Sequence, residues 1–128
     1  MGTLTKEQIL GAHDLKRLRV DIPEWDGHVF VKTITAAERD GFENAIYGSK
    51  KRLDISNVRA RMTAISTVDE TGKRLFSEKD IKALGQKSAM ALDRIFMAAC
   101  KLNGMRPEDI EELEKNSSTA RRDSSTLN

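Results

Sequence analysis

The segment from Val20 to Asp40 constrains the fold more than any other part of this sequence. It contains the only tryptophan, Trp25, directly followed by the dipeptide Asp26-Gly27. Glycine tolerates the positive φ that tight hairpin turns require, and alternating residues lie on both sides of this dipeptide. The segment therefore predicts two antiparallel strands joined by a turn at Asp26-Gly27.

The composition of the two predicted strands supports this pairing. The first, from Lys16 to Ile22, alternates apolar with charged residues. Pro23 would end it, because proline has no N–H to donate to a strand ladder. The second, from His28 to Ile34, is rich in the β-branched and aromatic residues that pack well in sheets.

Paired capping residues predict where two helices begin. The run Thr5-Lys6-Glu7-Gln8 has the form of a capping box, which predicts a short helix over residues 6–11. The run Thr35-Ala36-Ala37-Glu38 has the same form and predicts a helix that ends near Tyr47-Gly48.

The segment from Val58 to Val68 fits two different periods. Its apolar residues alternate as in a strand, although those at positions 58, 62, 65 and 68 would also form a helical stripe. Because Asp69-Glu70-Thr71-Gly72 supplies turn residues and residues 73–76 a short return, we favour a second hairpin. A helix is the alternative.

The longest predicted helix is the organiser of the core. Ser77 opens a short helix that Gly85 would close in a left-handed conformation, and Ser88 then caps a helix from Ala89 to Asn103. Gly104 ends that helix. Its apolar face comprises Leu92, Ile95, Phe96, Ala99 and Leu102.

The opposite face of this helix carries four candidate partner-binding residues. They are Met90, Arg94, Met97 and Lys101. Methionine is flexible and polarizable, so an exposed stripe of it beside charged residues suits a surface that adapts to apolar partners. The alternative is a helix buried on both sides, with the charged tips of its side chains reaching outward.

Trp25 also allows two interpretations. Tryptophan is enriched at binding hot spots, which makes Trp25 a candidate partner-binding residue. We favour the other interpretation, in which Trp25 folds back over the strand pair and the helix that begins at Thr35.

The whole chain is expected to form one domain and a tail. Pro107 suits the first position of a last short helix, which would run to about Lys115. Residues 117–128 are rich in serine and threonine and cannot bury enough apolar surface to offset their ordering entropy. We therefore predict an α+β domain over residues 1–116, with one or two antiparallel hairpins packed against four to five helices, and a disordered tail.

The residue types give no support to catalytic or metal chemistry. Two histidines and one cysteine are too few for a structural zinc site, and neither a Gly-x-Ser-x-Gly elbow nor a glycine-rich phosphate loop occurs. Cys100 lies in an apolar helical run, which favours an inert buried thiol. The acidic run before Gly72 is better explained as a hairpin turn than as a calcium loop. We predict no enzyme, metal or cofactor.

Charge and hydropathy bound the partners and the location. The formal net charge is only +2, and although Lys50-Lys51-Arg52 with Arg59 and Arg61 could contact phosphates, no aromatic residues interleave with them. We therefore expect no nucleic-acid partner. The N-terminus lacks the features of a signal peptide, and no apolar run approaches the roughly 18 residues of a membrane span. A soluble protein that is not exported is expected.

A set of ordered landmarks resembles the tail assembly chaperones of long-tailed bacteriophages. The landmarks are Ile-Leu-Gly-Ala-His-Asp-Leu-Lys (9–16), Val-Asp-Ile-Pro-Glu-Trp-Asp-Gly (20–27), Thr-Ala-Ala-Glu-Arg-Asp (35–40), Val-Asp-Glu-Thr-Gly-Lys-Arg-Leu-Phe (68–76), the Leu84-Gly85 and Lys87-Ser88 junction, and Leu-Asn-Gly followed by Glu-Asp-Ile-Glu-Glu-Leu within 102–113. Each landmark is weak alone, but their order spans nearly the whole predicted domain.

The resemblance implies a non-enzymatic assembly factor, made in the host bacterial cytoplasm during infection or from a prophage and absent from the mature virion. Members of that family coat the tape measure protein, keep it soluble and help recruit tail tube subunits. Many members also have a longer frameshifted product, and self-association is possible in such a protein. The alternative is a small nucleic-acid-binding or structural phage protein.

Overall fold

The computed structural model describes residues 2–47 and 57–109. The helices are α1 (Lys6–Gly11), α2 (Ala36–Tyr47), α3 (Val58–Ser66), α4 (Ile81–Leu84) and α5 (Ala89–Leu102). The strands are β1 (Arg17–Ile22), β2 (Gly27–Lys32) and β3 (Thr67–Val68), which form an antiparallel sheet in the order β1-β2-β3. Short 3-10 helices cover Pro23–Trp25 and Glu78–Asp80. The predicted α+β class is confirmed.

The predicted hairpin is confirmed, but its turn differs from the prediction. β1 and β2 pair from Arg17 opposite Lys32 to Ile22 opposite Gly27. The connection is the 3-10 helix Pro23–Trp25, which we call the hairpin turn, and the Asp26 N–H donates to the Pro23 C=O at 3.1 Å. The positive φ falls on Asp26, at 53°, rather than on the glycine. Aspartate tolerates this left-handed conformation better than most residues with a side chain.

The predicted strand over residues 58–68 is wrong for residues 58–66, which form α3, and only Thr67–Val68 form a strand. α3 packs against α5, α4 and α2, so apolar or small residues are buried around most of its circumference and no single period stands out. Its buried residues are Val58, Ala60, Met62, Thr63, Ala64 and Ser66. The two buried hydroxyl groups donate to backbone carbonyls one turn earlier, Thr63 to Arg59 at 2.9 Å and Ser66 to Met62 at 2.6 Å.

The turn at residues 69–72 is confirmed as a hairpin turn. Val68 of β3 forms an isolated bridge with Arg74, and the Asp69 N–H donates to the Lys73 C=O at 2.8 Å. The Asp69 carboxylate accepts hydrogen bonds from both the N–H and the hydroxyl of Thr71 and from the Lys73 N–H. These bonds, all to Oδ1, lower the pKa of Asp69 because they favour the ionised carboxylate.

α5 organises the core, as predicted. One cluster joins it to the hairpin, α2 and α3, and a second joins it to α3 and α4. The four residues of its predicted apolar face from Leu92 to Ala99 are buried, and Leu102 is half-buried. Gly104 follows the helix with a φ of 66°, the left-handed conformation expected of a residue that ends a helix.

Gly85 closes α4 differently from the prediction. Its φ is −63°, an ordinary helical value, so a left-handed conformation is not the reason for glycine here. A Cβ at this position would instead lie 2.5 Å from the Asn57 side-chain oxygen and 3.3 Å from the Lys82 C=O. Glycine therefore permits the close approach of α4 to the start of α3.

Three predictions fall outside the described residues. These concern the basic cluster at residues 50–52, the end of the last helix near Lys115, and the tail over residues 117–128. Pro107 does begin a helix, as predicted.

Candidate partner-binding surface

Capping and core contacts fix α5 at both ends. The Ala91 N–H donates to the Ser88 hydroxyl at 3.2 Å, which satisfies one of the free donors at the helix start. At the other end the Asn103 side-chain oxygen accepts the Ile34 N–H at 2.8 Å, and its amide donates to the Ala99 C=O at 2.9 Å. α5 is thus attached to the end of β2, and the face opposite the core is held in a fixed position.

Two methionines dominate that outer face. The exposed fractions of Met90 and Met97 are 64% and 53%, whereas Ala91, Ile95 and Ala99 on the opposite side are fully buried. α5 is therefore not buried on both sides, and that interpretation of the methionines is wrong. Lys101 is also exposed, and its charge lies in the last turn, where it interacts favourably with the helix dipole. We call Met90 and Met97 the methionine stripe.

Arg94 has a structural partner that the sequence did not reveal. Its guanidinium donates two hydrogen bonds to the Glu24 carboxylate, Nε to Oε1 at 2.8 Å and Nη2 to Oε2 at 3.0 Å. The pairing lowers the pKa of Glu24 and raises that of Arg94, because each charge and its hydrogen bonds favour the ionised form of the other. No local pattern links two residues 70 positions apart, so sequence reasoning could not have found this pair.

Trp25 lies next to this ion pair, in the hairpin turn. Its exposed fraction is 36%, so it is neither a core residue nor a fully exposed one. The hairpin turn packs against α5 and β2. Of the predicted site residues, the structure therefore brings Trp25 close to α5 through the Glu24–Arg94 pair, and Met90 and Met97 lie on the outer face of the same helix.

A groove that the sequence did not reveal lies on another side of the domain. It has a volume of about 640 Å³ and lies between α2, α3 and the segment from Arg74 to Ile81. Arg61 donates to the Glu78 carboxylate at 3.0 Å beside it, while its Nε is buried without a partner among the described residues. Its apolar lining includes Phe42, Ala45, Ile65, Leu75, Phe76 and Ile81. The prediction of a strand over residues 58–68, most of which form α3, concealed this groove.

Burial raises the pKa of the Cys100 thiol to about 11, so the thiolate is scarce at neutral pH. No group of three or more potential metal ligands occurs in the part of the chain that the structure describes. Arg59 and Arg61, which we considered as phosphate contacts, pair with Asp93 at 2.7 Å and with Glu78 at 3.0 Å. Among these same residues, no helix combines the length and hydropathy needed to cross a membrane.

No protein-family model matches this sequence, and no curated protein matches it. Among solved structures, the chain is similar to the tail assembly chaperone of bacteriophage HK97, with a TM-score of 0.56 and 14% sequence identity. The match covers 75% of this chain and 90% of the HK97 protein. At this identity the likeness establishes a shared fold, and it confirms at that level the resemblance expected from the sequence landmarks.

Proposed function

We propose that this chain is a phage tail assembly chaperone. In this role it binds the tape measure protein, keeps it soluble in the host bacterial cytoplasm and helps recruit tail tube subunits, and it is not retained in the virion. The shared fold with the HK97 chaperone and the ordered sequence landmarks support this role. Such a protein needs adaptable apolar surface rather than a reactive centre.

The methionine stripe is the observation that carries the proposal. Two large apolar side chains stand more than half exposed on a helix whose other face forms the core. Exposing them gives no benefit to the folded monomer, and a thioether on a flexible stem can adapt to several apolar segments along a long client. Lys101 adds a positive charge at one end, and Trp25 extends the surface beyond the Glu24–Arg94 pair.

A double substitution tests this role of the stripe. Met90→Glu with Met97→Glu places two carboxylates on an exposed face and should leave the melting temperature nearly unchanged, because neither side chain contributes to the core. Co-purification of the tape measure protein, expressed together with this chain, should be lost. Binding that persists, or a melting temperature that collapses, contradicts the proposal.

A matched control separates a specific surface from general loss of apolar area. Ile9 and Leu10 of α1 are exposed by 56% and 75%, and α1 has no buried residues. Ile9→Glu with Leu10→Glu therefore makes the same chemical change at a similarly exposed site. We expect this variant to retain the tape measure protein. Equal loss of binding in both double variants would show that the methionine stripe has no special role.

A further inference from the structure

The outer edge of β1 offers free backbone groups. β1 is the edge strand of the sheet, and no strand pairs with its outer side within the described residues. The Lys16 C=O accepts the Thr33 N–H at 2.8 Å. This bond shows that the backbone groups of the even-numbered residues of β1 point toward β2. Because bonding groups alternate along an antiparallel ladder, the backbone N–H and C=O of Arg17, Arg19 and Asp21 point away from β2. A row of unpaired groups of this kind is a template for another strand.

The side chains along this edge do not block pairing. Arg19 and Asp21 lie on the outer face of the sheet and form an exposed ion pair with each other, 3.1 Å between Nε and Oδ1. The alternate residues Leu18, Val20 and Ile22 lie on the core face, with Leu18 43% exposed and Val20 half-buried. An edge strand with charges of one sign would repel a second copy of itself. Here Arg19 and Asp21 carry opposite charges, so in an antiparallel pair of β1 strands each can lie opposite the other residue of the second copy.

We propose that two copies of this chain pair through β1, antiparallel, about a two-fold axis at Val20. In this register Arg19 of each copy lies opposite Asp21 of the other, which gives two such pairs on the outer face of the sheet. On the core face it places Leu18 opposite Ile22 of the second copy. The two three-stranded sheets become one continuous sheet, and Pro23, which has no N–H, marks the end of the pairing.

Charge complementarity explains why a second copy of this chain binds the edge of β1 and why it binds in this register. Moving the two-fold axis from Val20 to Arg19 would place Arg19 opposite its own copy, and moving it to Asp21 would place two carboxylates opposite each other. Like charges directly opposite each other in a sheet are destabilising, whereas opposite charges stabilise the pair. The axis at Val20 gives two favourable pairs and no pair of like charges, so a second copy fits this edge through its own sequence.

The pairing has a consequence for the methionine stripe. The two-fold axis of an antiparallel strand pair is perpendicular to the sheet, so both copies of α5 lie on the same side of the continuous sheet. Met90 and Met97 are exposed on the outer face of α5 in each copy. The pair therefore presents two methionine stripes on one face, and two linked binding surfaces hold a long client more tightly than one. The pairing itself does not depend on the proposed chaperone role.

Complementary charge reversal tests the register. Arg19→Asp gives a chain with carboxylates at both positions 19 and 21, and Asp21→Arg gives a chain with guanidinium groups at both positions. Each variant alone should sediment at the 14.3 kDa of one chain, at concentrations where the wild type has twice that mass. A mixture of the two variants should regain the double mass, because both cross-strand pairs form again. A wild-type chain that stays at single mass, or a double mass in each variant alone, overturns the proposal.

Cross-linking tests the position of the axis. Val20→Cys, in a Cys100→Ser background, places the two new thiols directly opposite each other across the axis, within reach of a disulfide. Leu18→Cys is the matched control, because in this register its own copy lies about four residues, or roughly 14 Å, away along the strand. Mild oxidation should give covalent dimers of the Val20→Cys variant alone. Cross-links of the Leu18→Cys variant, or none from Val20→Cys, contradict an axis at Val20.

Discussion

The two faces of α5 differ in almost every property although they belong to the same helix. The inner face, with Ile95, Phe96 and Ala99, is fully buried and joins the hairpin to α3 and α4. The outer face has two exposed methionines and a charged pair that holds the hairpin turn. The inner face accounts for the fold, and the outer face is the surface that we propose binds the client. Substitutions on one face should therefore change stability, and those on the other should change binding.

Phe96→Ala should have the largest effect on stability. Phe96 is 2% exposed, and the Arg59 guanidinium lies 5.3 Å from its ring centroid. Truncation of a buried phenylalanine leaves a cavity and costs about 4 kcal/mol. Met90→Ala, on the opposite face, should change the free energy of unfolding by no more than about 0.5 kcal/mol. Urea denaturation followed by circular dichroism measures both, and equal losses would contradict the division between the two faces.

Thr35→Ala should have an intermediate effect. The Thr35 hydroxyl accepts the Glu38 N–H at 3.1 Å, and the Glu38 carboxylate accepts the Thr35 N–H at 2.8 Å and the Lys32 ammonium at 2.6 Å. Loss of the capping hydroxyl costs about 1 kcal/mol. Thr35→Ser, which keeps the hydroxyl, should recover most of it. If the two variants have the same unfolding midpoint in urea, the cap does not stabilise α2.

The Glu24–Arg94 pair should give a smaller, pH-dependent effect. Because the pKa of Glu24 is lower in the folded protein than its usual value of 4.5, the pair stabilises the fold above that value. The contribution is lost as the pH falls through the lowered pKa. Trp25 fluorescence should therefore report loosening of the hairpin turn in this acidic range, with a shift of the emission to longer wavelength.

Glu24→Gln is the control for that measurement. The variant has no carboxylate to titrate at this position, so the shift should be present at neutral pH and should change little on acidification. An identical acid transition of Trp25 emission in the wild type and in the Glu24→Gln variant would mean that the ion pair does not hold the hairpin turn on α5.

Local signals in the sequence predicted the hairpin and the starts of α1, α2 and α5. Capping residues at Thr5, Thr35 and Ser88 act within three residues of their partners, so their spacing is visible in the sequence. The apolar face of α5 has water on its opposite side, so its helical period was clear. Because the apolar residues of α5 define its buried face, Met90 and Met97 could be assigned to the opposite, outer face from the sequence.

Features that depend on tertiary packing were missed. α3 is covered on several sides, so its alternating apolar residues resembled a strand, and the groove beside it could not be predicted. Gly85 is required by the approach of Asn57 from a distant element, not by its own backbone conformation. The Glu24–Arg94 pair joins two elements that only the fold brings together. In each case the cause lies in contacts between residues far apart in the sequence.

Methyl NMR of methionine tests most directly whether the outer face of α5 binds the client. The chain has five methionines, and Met62 is fully buried while Met90 and Met97 are exposed. With 13C-labelled methionine methyl groups, addition of a soluble fragment of the tape measure protein should shift or broaden the Met90 and Met97 signals and leave that of Met62 in place. A fragment that binds while the Met90 and Met97 signals stay unchanged would contradict the account.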